Sequence, residues 1–250
     1  MVIHHSVDYI STNRYKITID LINIRESDTM PQWEITEEQN MKLVKVTLND
    51  ETVRAESGVL HYMRGNVELQ TKMPGVGSMF KSALTGEKIF RPTYTGTGVV
   101  YFGPPSFGQF NSLELNGDEW VLDRGAFIAS DEGIELGVIR NKLWASLAGG
   151  EGMFQTSVKG HGTVIYYSEG PIQIIDLNNE TLAVDGNFAV ARQAQLNFTV
   201  KKAAKGILST MTSGEGFVNV ISGTGRVMLC PVPNLYNGLL GRLVASTITG

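Results

Sequence analysis

A single cysteine, Cys230, in 250 residues rules out an internal disulfide and any zinc site built from cysteines alone, and it fits a reducing compartment. Such a residue packs as a small hydrophobe unless a base partner activates it, and the sequence identifies no such base. Charge is scarce as well. Only 18% of residues are charged and the net charge is −4, so there is no broad basic field to attract a phosphate backbone, and general nucleic-acid binding is not expected. No apolar run approaches the roughly 18 residues of a membrane-spanning helix. The opening "MVIHHSVDYI" has no cationic region followed by a long apolar stretch, and residues 1–30 lack the arginine- and serine-rich character of a mitochondrial presequence. A cytoplasmic, bacterial setting is the expectation.

Recognisable catalytic and metal-binding motifs are missing too. No Gly-x-Ser-x-Gly elbow and no His-Glu-x-x-His pair occurs. The adjacent rings of His4 and His5 would point to opposite faces of an extended segment, a poor chelate geometry. His61, in "VLHYM", reads as a packed or rim histidine on a strand.

What the chain does have is glycine, 28 residues of it, arranged with a period. "GEKIF", "GEGMF" and "GEGFV" place Glu87, Glu151 and Glu215 64 residues apart each time. Downstream, "TGTG", "KGHG" and "SGTG" supply Gly96 and Gly98, Gly160 and Gly162, and Gly223 and Gly225, each pair leading into an apolar run. His161 holds the place taken by Thr97 and Thr224 in the sister copies. Upstream, an alternating run meets Asn49-Asp50, Asn116-Gly117 or Asn178-Asn179, pairs that tolerate the positive φ of tight hairpin turns. A nucleotide-binding glycine loop follows a strand and opens a helix. Here each Gly-x-Gly precedes another strand, so the six glycines are expected to be structural turns repeated by duplication.

Between the blocks the period changes. Val76, Met79, Phe80, Ala83 and Leu84 fall on one helical face, as do Ile139, Leu143, Trp144, Leu147 and Ala148, and Ala203, Ala204, Ile207, Leu208 and Met211. Lys81, Arg140 with Lys142, and Lys201, Lys202 and Lys205 line their polar sides. The expected fold is therefore all-β: three repeated antiparallel β-sandwich-like modules in a pseudo-threefold arrangement, with short connecting helices. Module boundaries fall at about 41–105, 106–171 and 172–233. Residues 1–40 form an extension with one strand from Tyr15 and a polar lead-in, "WEITEEQN", and residues 234–250 a helical tail.

On the three "GE-x-apolar … G-x-G" turns and the "LDRGAF" segment at Leu122, the chain from about Met41 to Pro233 resembles the altered-inheritance-of-mitochondria 24 family, formerly a domain of unknown function. The resemblance implies a fold similar to that of the tryptophan RNA-binding attenuator protein and a homo-oligomer, with a trimer the first expectation. Eukaryotic members are associated with mitochondrial membrane organisation. The family supplies no catalytic residues to carry over, and Lys88 departs from the glycine found after the glutamate in the other two copies.

Three functions follow as expectations. The first is a non-enzymatic scaffold or interaction protein that meets a protein partner, with no cofactor. Its aromatic loop, with Tyr101, Phe102, Phe107 and Phe110 around Pro104-Pro105, is read either as a contact patch or as core. The second is a small-ligand-binding β protein with a site between modules or subunits. The third is reversible association with a membrane surface through the lysine-bearing helical turns. If Glu87, Glu151 and Glu215 converge on an axis they form a candidate site for a hard cation; otherwise each simply starts a strand.

Overall fold

The computed structural model describes residues 30–38, 41–71, 91–104, 108–141, 153–185, 188–202 and 217–232. Their regular structure is entirely β, twelve strands joined by antiparallel pairings into one sheet. In chain order these are β1 Gln32–Glu38, β2 Met41–Ala55, β3 Leu60–Gln70, β4 Thr93–Phe102, β5 Gln109–Leu122 and β6 Phe127–Asp131. There follow β7 Glu135–Asn141, β8 Met153–Ser168, β9 Gln173–Asp185, β10 Ala189–Gln193, β11 Asn197–Lys202 and β12 Phe217–Leu229. Alternation writes the strands: in β2, Val44, Val46 and Leu48 are buried while Lys45 and Thr47 between them are not.

The sheet contains three long ladders, β2–β4, β5–β8 and β9–β12. In each, the last strand is flanked on its other side by the intervening strands: β3 beside β4, β6 and β7 beside β8, β10 and β11 beside β12. Two junctions join the ladders. Val53–Ala55 of β2 pair with Asp131–Ala129 of β6, and Trp120–Leu122 of β5 pair with Gln193–Ala191 of β10. The path runs β11-β12-β10-β5-β8-β6-β2-β4-β3, so the first and third ladders lie at opposite ends of it.

The Gly-x-Gly pairs occupy the middle of β4, β8 and β12 and do not join one strand to the next. The Asn pairs likewise lie inside β2, β5 and β9. Where the sequence suggests hairpin turns, the structure has long strands that bend. The two motifs face one another across each ladder: Asn49 is opposite Thr97, Asn116 is opposite His161, and Glu180 and Leu177 bracket the register shift beside Gly223 and Gly225. The extra residue on the Asn strand is a β-bulge, and it turns to positive φ at Asp50 (62°), Gly117 (96°) and Asn179 (53°). Thr97 Oγ1 accepts the Asp50 amide at 3.0 Å, and Thr224 Oγ1 accepts the Asn179 amide at 3.0 Å. In the second ladder the His161 ring lies against Gly117 instead. Asn and Gly tolerate positive φ in a bulge as readily as in a hairpin, which is why the sequence signal did not distinguish the two.

Three further expectations change. Ile139 lies in β7, and Lys201 and Lys202 end β11, so the helical readings that include them begin in strands; the rest of those segments falls outside the described residues. The segment "WEITEEQN", read as a polar lead-in, lies largely in β1, Gln32–Glu38, which pairs with Met41–Thr47. The strand from Tyr15 and the tail 234–250 fall outside the described residues.

Three apolar clusters form the core. One, around Leu115, Trp120, Phe127 and Ile134, takes in Val190, Ala191, Met228 and Cys230 from the third ladder. Another, around Val46, Leu48, Tyr94 and Phe102, takes in Ile128, Ala129, Ile165 and Tyr167 from the second. The smallest, Leu177, Leu196, Ile221 and Val227, is built from β9–β12 alone.

Candidate functional site

A concavity sits at the junction of the second and third ladders. The bend after β5 supplies Asp123 and Arg124, the end of β8 supplies Tyr167, Ser168 and Glu169, and the chain after β12 supplies Cys230. Its volume is about 330 Å³, at the small end of the range for ligand pockets. The backbone places it: the Asp123 amide donates to Val190 O at 2.8 Å and the Cys230 amide to Phe188 O at 2.8 Å.

Asp123 and Ser168 in its lining are engaged in hydrogen bonds. Gln155 Nε2 donates to Asp123 Oδ1 at 3.2 Å, and Arg192 Nη1 donates to Gln155 Oε1 at 3.2 Å. The Arg192 guanidinium lies 4.3 Å from the Phe198 ring centroid. Burial lowers the pKa of Arg192 to about 10 against the opposing field of Asp123. Burial also raises that of Asp123, while the bond from Gln155 works in the other direction. Ser168 Oγ donates to Gly170 O at 2.7 Å and accepts from Asn111 Nδ2 at 3.0 Å. The Cys230 thiol lies 3.4 Å from Val232 O, and burial raises its pKa, which favours the thiol over the reactive thiolate.

Because the folded Asp123 carboxyl holds its proton more tightly than the unfolded one, its contribution to stability is present below the unfolded pKa and lost as pH rises through the folded value. The difference in unfolding free energy between wild type and Asp123→Asn is therefore expected to fall between pH 4 and pH 7. Urea denaturation at both pH values reads this difference, and a constant or rising one contradicts the burial of the charge.

At the first junction a smaller cleft of about 160 Å³ lies beside Glu56, Arg91, Arg124 and Phe127. Arg91 Nη2 pairs with Glu56 Oε2 at 2.8 Å, and its guanidinium stands 5.7 Å from the Phe127 centroid. Burial lowers the Arg91 pKa, and Glu56 opposes that shift. Glu56 and Asp123 hold equivalent places, each donating its amide to the neighbouring strand, to Ile128 O and Val190 O.

Among the sequence candidates, Gly96, Gly98, Gly160, Gly162, Gly223 and Gly225 meet the bulged strands as described above. Glu87, Glu151 and Glu215 lie outside the described residues, as do His4, His5 and Phe107. Among the described residues no cluster of His, Cys, Asp or Glu has metal-binding geometry. Phe102 and Phe110 are core residues, in line with the core reading of that segment; Tyr101 instead stacks on exposed Tyr62, with centroids 4.2 Å apart. His61 is exposed, with its ring over Gly103. Among the described residues no helix is long and apolar enough to cross a membrane.

Sequence reasoning missed Asp131. It ends the buried "FIASD" of β6, where its carboxylate accepts Trp33 Nε1 at 2.7 Å and the Thr163 amide at 2.7 Å. The only available signal was a single acid closing a fully buried strand.

Fold and site geometry define an all-β protein of bulged antiparallel ladders, and comparison with known proteins places it further. The model of the mitochondrial biogenesis AIM24 family matches residues 33–232, and the chain belongs to that family. It is 28% identical over 214 residues to an uncharacterized protein of Streptococcus pyogenes serotype M6, covering 81% of this chain and 86% of that one. The X-ray crystal structure of a Streptococcus pyogenes protein is similar to it with a TM-score of 0.72 and 27% identity, over 85% of this chain and 99% of that one.

Proposed function

We propose that this chain is a non-enzymatic scaffold, built from three copies of one bulged β unit, that assembles with further copies of itself and offers its surface to a protein partner in a bacterial cytoplasm. One observation carries the reading: the side chains with chemical potential are used as brackets between strands. Asp131 ties β1 and β8 to β6, Glu114 accepts the Thr163 hydroxyl at 2.9 Å, and Arg54 donates to the carbonyls of Ile134 and Glu132. Groups engaged in this way are not poised to transfer protons or bind substrate. Triplication is supported by the recurrence of the bulge at one place in each ladder and by a buried leucine just before it: Leu48, Leu115 and Leu177. A pseudo-threefold arrangement of the units needs a third junction to match the two within the chain.

A native mass spectrum of the purified protein is the test. A defined multimer without bound metabolite is the expected result, and a monomer carrying a stoichiometric small molecule overturns it. The second result would favour the alternative of a small-ligand-binding protein, which the cavity at Asp123 and Tyr167 supports. Association with a membrane surface is the weakest of the three readings, because Lys201 and Lys202 are strand residues.

A further inference from the structure

The two junctions within the chain follow one pattern, and that pattern specifies a third. At the first, Ala55 and Arg54 meet Ala129 and Ser130; at the second, Leu122 and Val121 meet Ala191 and Arg192. Each receiving strand begins with a register shift against its ladder partner, between Phe127 and Ala129 and between Ala189 and Ala191. β3 begins with the same shift, between Leu60 and Tyr62. Tyr62 therefore corresponds to Ala129 and Ala191, and Met63 to Ser130 and Arg192. On the donor side, the ladder registers make Val184 of β9 the counterpart of Leu122, and Ala183 that of Val121. Among the described residues β3 has only β4 as a neighbour and β9 has only β12.

Among the described residues the cores show the same asymmetry. Ile128, Ala129, Ile165 and Tyr167 complete the first ladder's cluster, and their counterparts Val190, Ala191, Met228 and Cys230 complete the second's. Among the described residues no other ladder contributes to the third cluster. By register, the missing set is His61, Tyr62, Tyr101 and Gly103. Tyr62 is 52% exposed and Met63 40%, where Ala129 and Ser130 are at 0%. Charge complements shape, since β3 carries Arg64 beside these positions and β9 carries Asp185 and Glu180.

We infer that a second copy of this chain docks head to tail, with Leu182–Asp185 of one copy pairing antiparallel with Arg64–His61 of the next. Val184 stands opposite Tyr62, Ala183 opposite Met63 and Leu182 opposite Arg64. The stacked Tyr62–Tyr101 pair then covers the third core, and Glu180 lies diagonally across from Arg64. Because the contact joins different surfaces of the two copies, it repeats until it closes a ring. It gives a second neighbour to two strands, β3 and β9, that have only one each among the described residues. This inference rests on the self-assembling scaffold reading and specifies its interface.

The test is a pair of cysteines placed opposite one another, Met63→Cys with Ala183→Cys, in the full chain under mild oxidation. Disulfide-linked multimers on a non-reducing gel are expected from the double variant, and only monomer from either single variant. A disulfide within one chain overturns the inference, because the junction then closes without a second copy. Charge reversal gives an independent readout that leaves the core untouched. Arg64→Glu and Glu180→Arg are each expected to weaken assembly at least tenfold by native mass spectrometry, and the double reversal to restore it. If the wild type is multimeric but neither cross-link nor rescue appears, the interface is wrong and the scaffold reading stands; if the wild type is a monomer, both fall.

Discussion

Asp131→Ala is expected to destabilise the protein by about 3 kcal/mol, from the buried Thr163 amide and the half-buried Trp33 indole left without an acceptor at roughly 1–3 kcal/mol each. The carboxylate joins the indole of Trp33, 98 residues away in sequence, to the Thr163 amide, both at 2.7 Å. It thereby fixes β1 against the junction of the first two ladders and holds β6 against β8. Asp131 is itself buried, and burial raises its pKa against the two hydrogen bonds, so the site is already costly for a charge and depends on both donors. Asp131→Asn retains one acceptor oxygen and turns an amide NH₂ toward the second donor, so an intermediate loss of about 1.5 kcal/mol is expected. Urea unfolding gives the free energies, and Trp33 fluorescence compared with a Trp33→Phe control reports whether β1 loosens first. A loss under 1 kcal/mol for Asp131→Ala would show that the bracket contributes little.

Gly96→Ala is expected to cost about 4 kcal/mol, and Gly223→Ala about 2 kcal/mol. The two glycines hold the same place in their ladders and nearly the same backbone conformation, φ 134° and 127°, so both substitutions incur similar conformational strain. They differ in what a methyl group would meet. At Gly96 it would fall 2.2 Å from the backbone oxygen of Asn66, which cannot yield without breaking the β3–β4 ladder. At Gly223 the nearest atom is Leu196 Cδ2 at 3.4 Å, an ordinary contact. The difference between the two substitutions isolates close backbone approach from φ strain. Equal losses in thermal or urea unfolding would mean that the β3–β4 approach is soft.

The glycines also mark where reading the sequence stops. Their period, the recurrence of the Asn pairs upstream and the place that His161 shares with Thr97 and Thr224 were visible in the linear pattern; that Thr97 stands opposite Asn49 and His161 opposite Asn116 was not. That the pairs form bulges inside long strands was not visible, because a residue with positive φ looks the same in a turn and in a bulge until its cross-strand partner is known. The helical reading of Ile139 and of Lys201 and Lys202 erred for a related reason. A strand end that runs into an apolar segment can match a 3.6-residue period over a few positions while its hydrogen bonds belong to β8 or β12. The cavity at Asp123, Tyr167 and Cys230 gathers residues from parts of the chain that no local pattern connects.

The sequence by itself determined the class of structure: alternation of Val44, Val46 and Leu48 with polar neighbours can bury one face only as a strand, and repeated glycines at one spacing impose the same bend each time. Tertiary structure alone decided which strands became neighbours, that Asp131 would bridge Trp33 and Thr163, and that among the described residues the third core draws on no other ladder. Backbone geometry and side-chain alternation act over a few residues and are written locally, whereas pairing and burial depend on distant segments whose meeting is settled only when the whole sheet assembles.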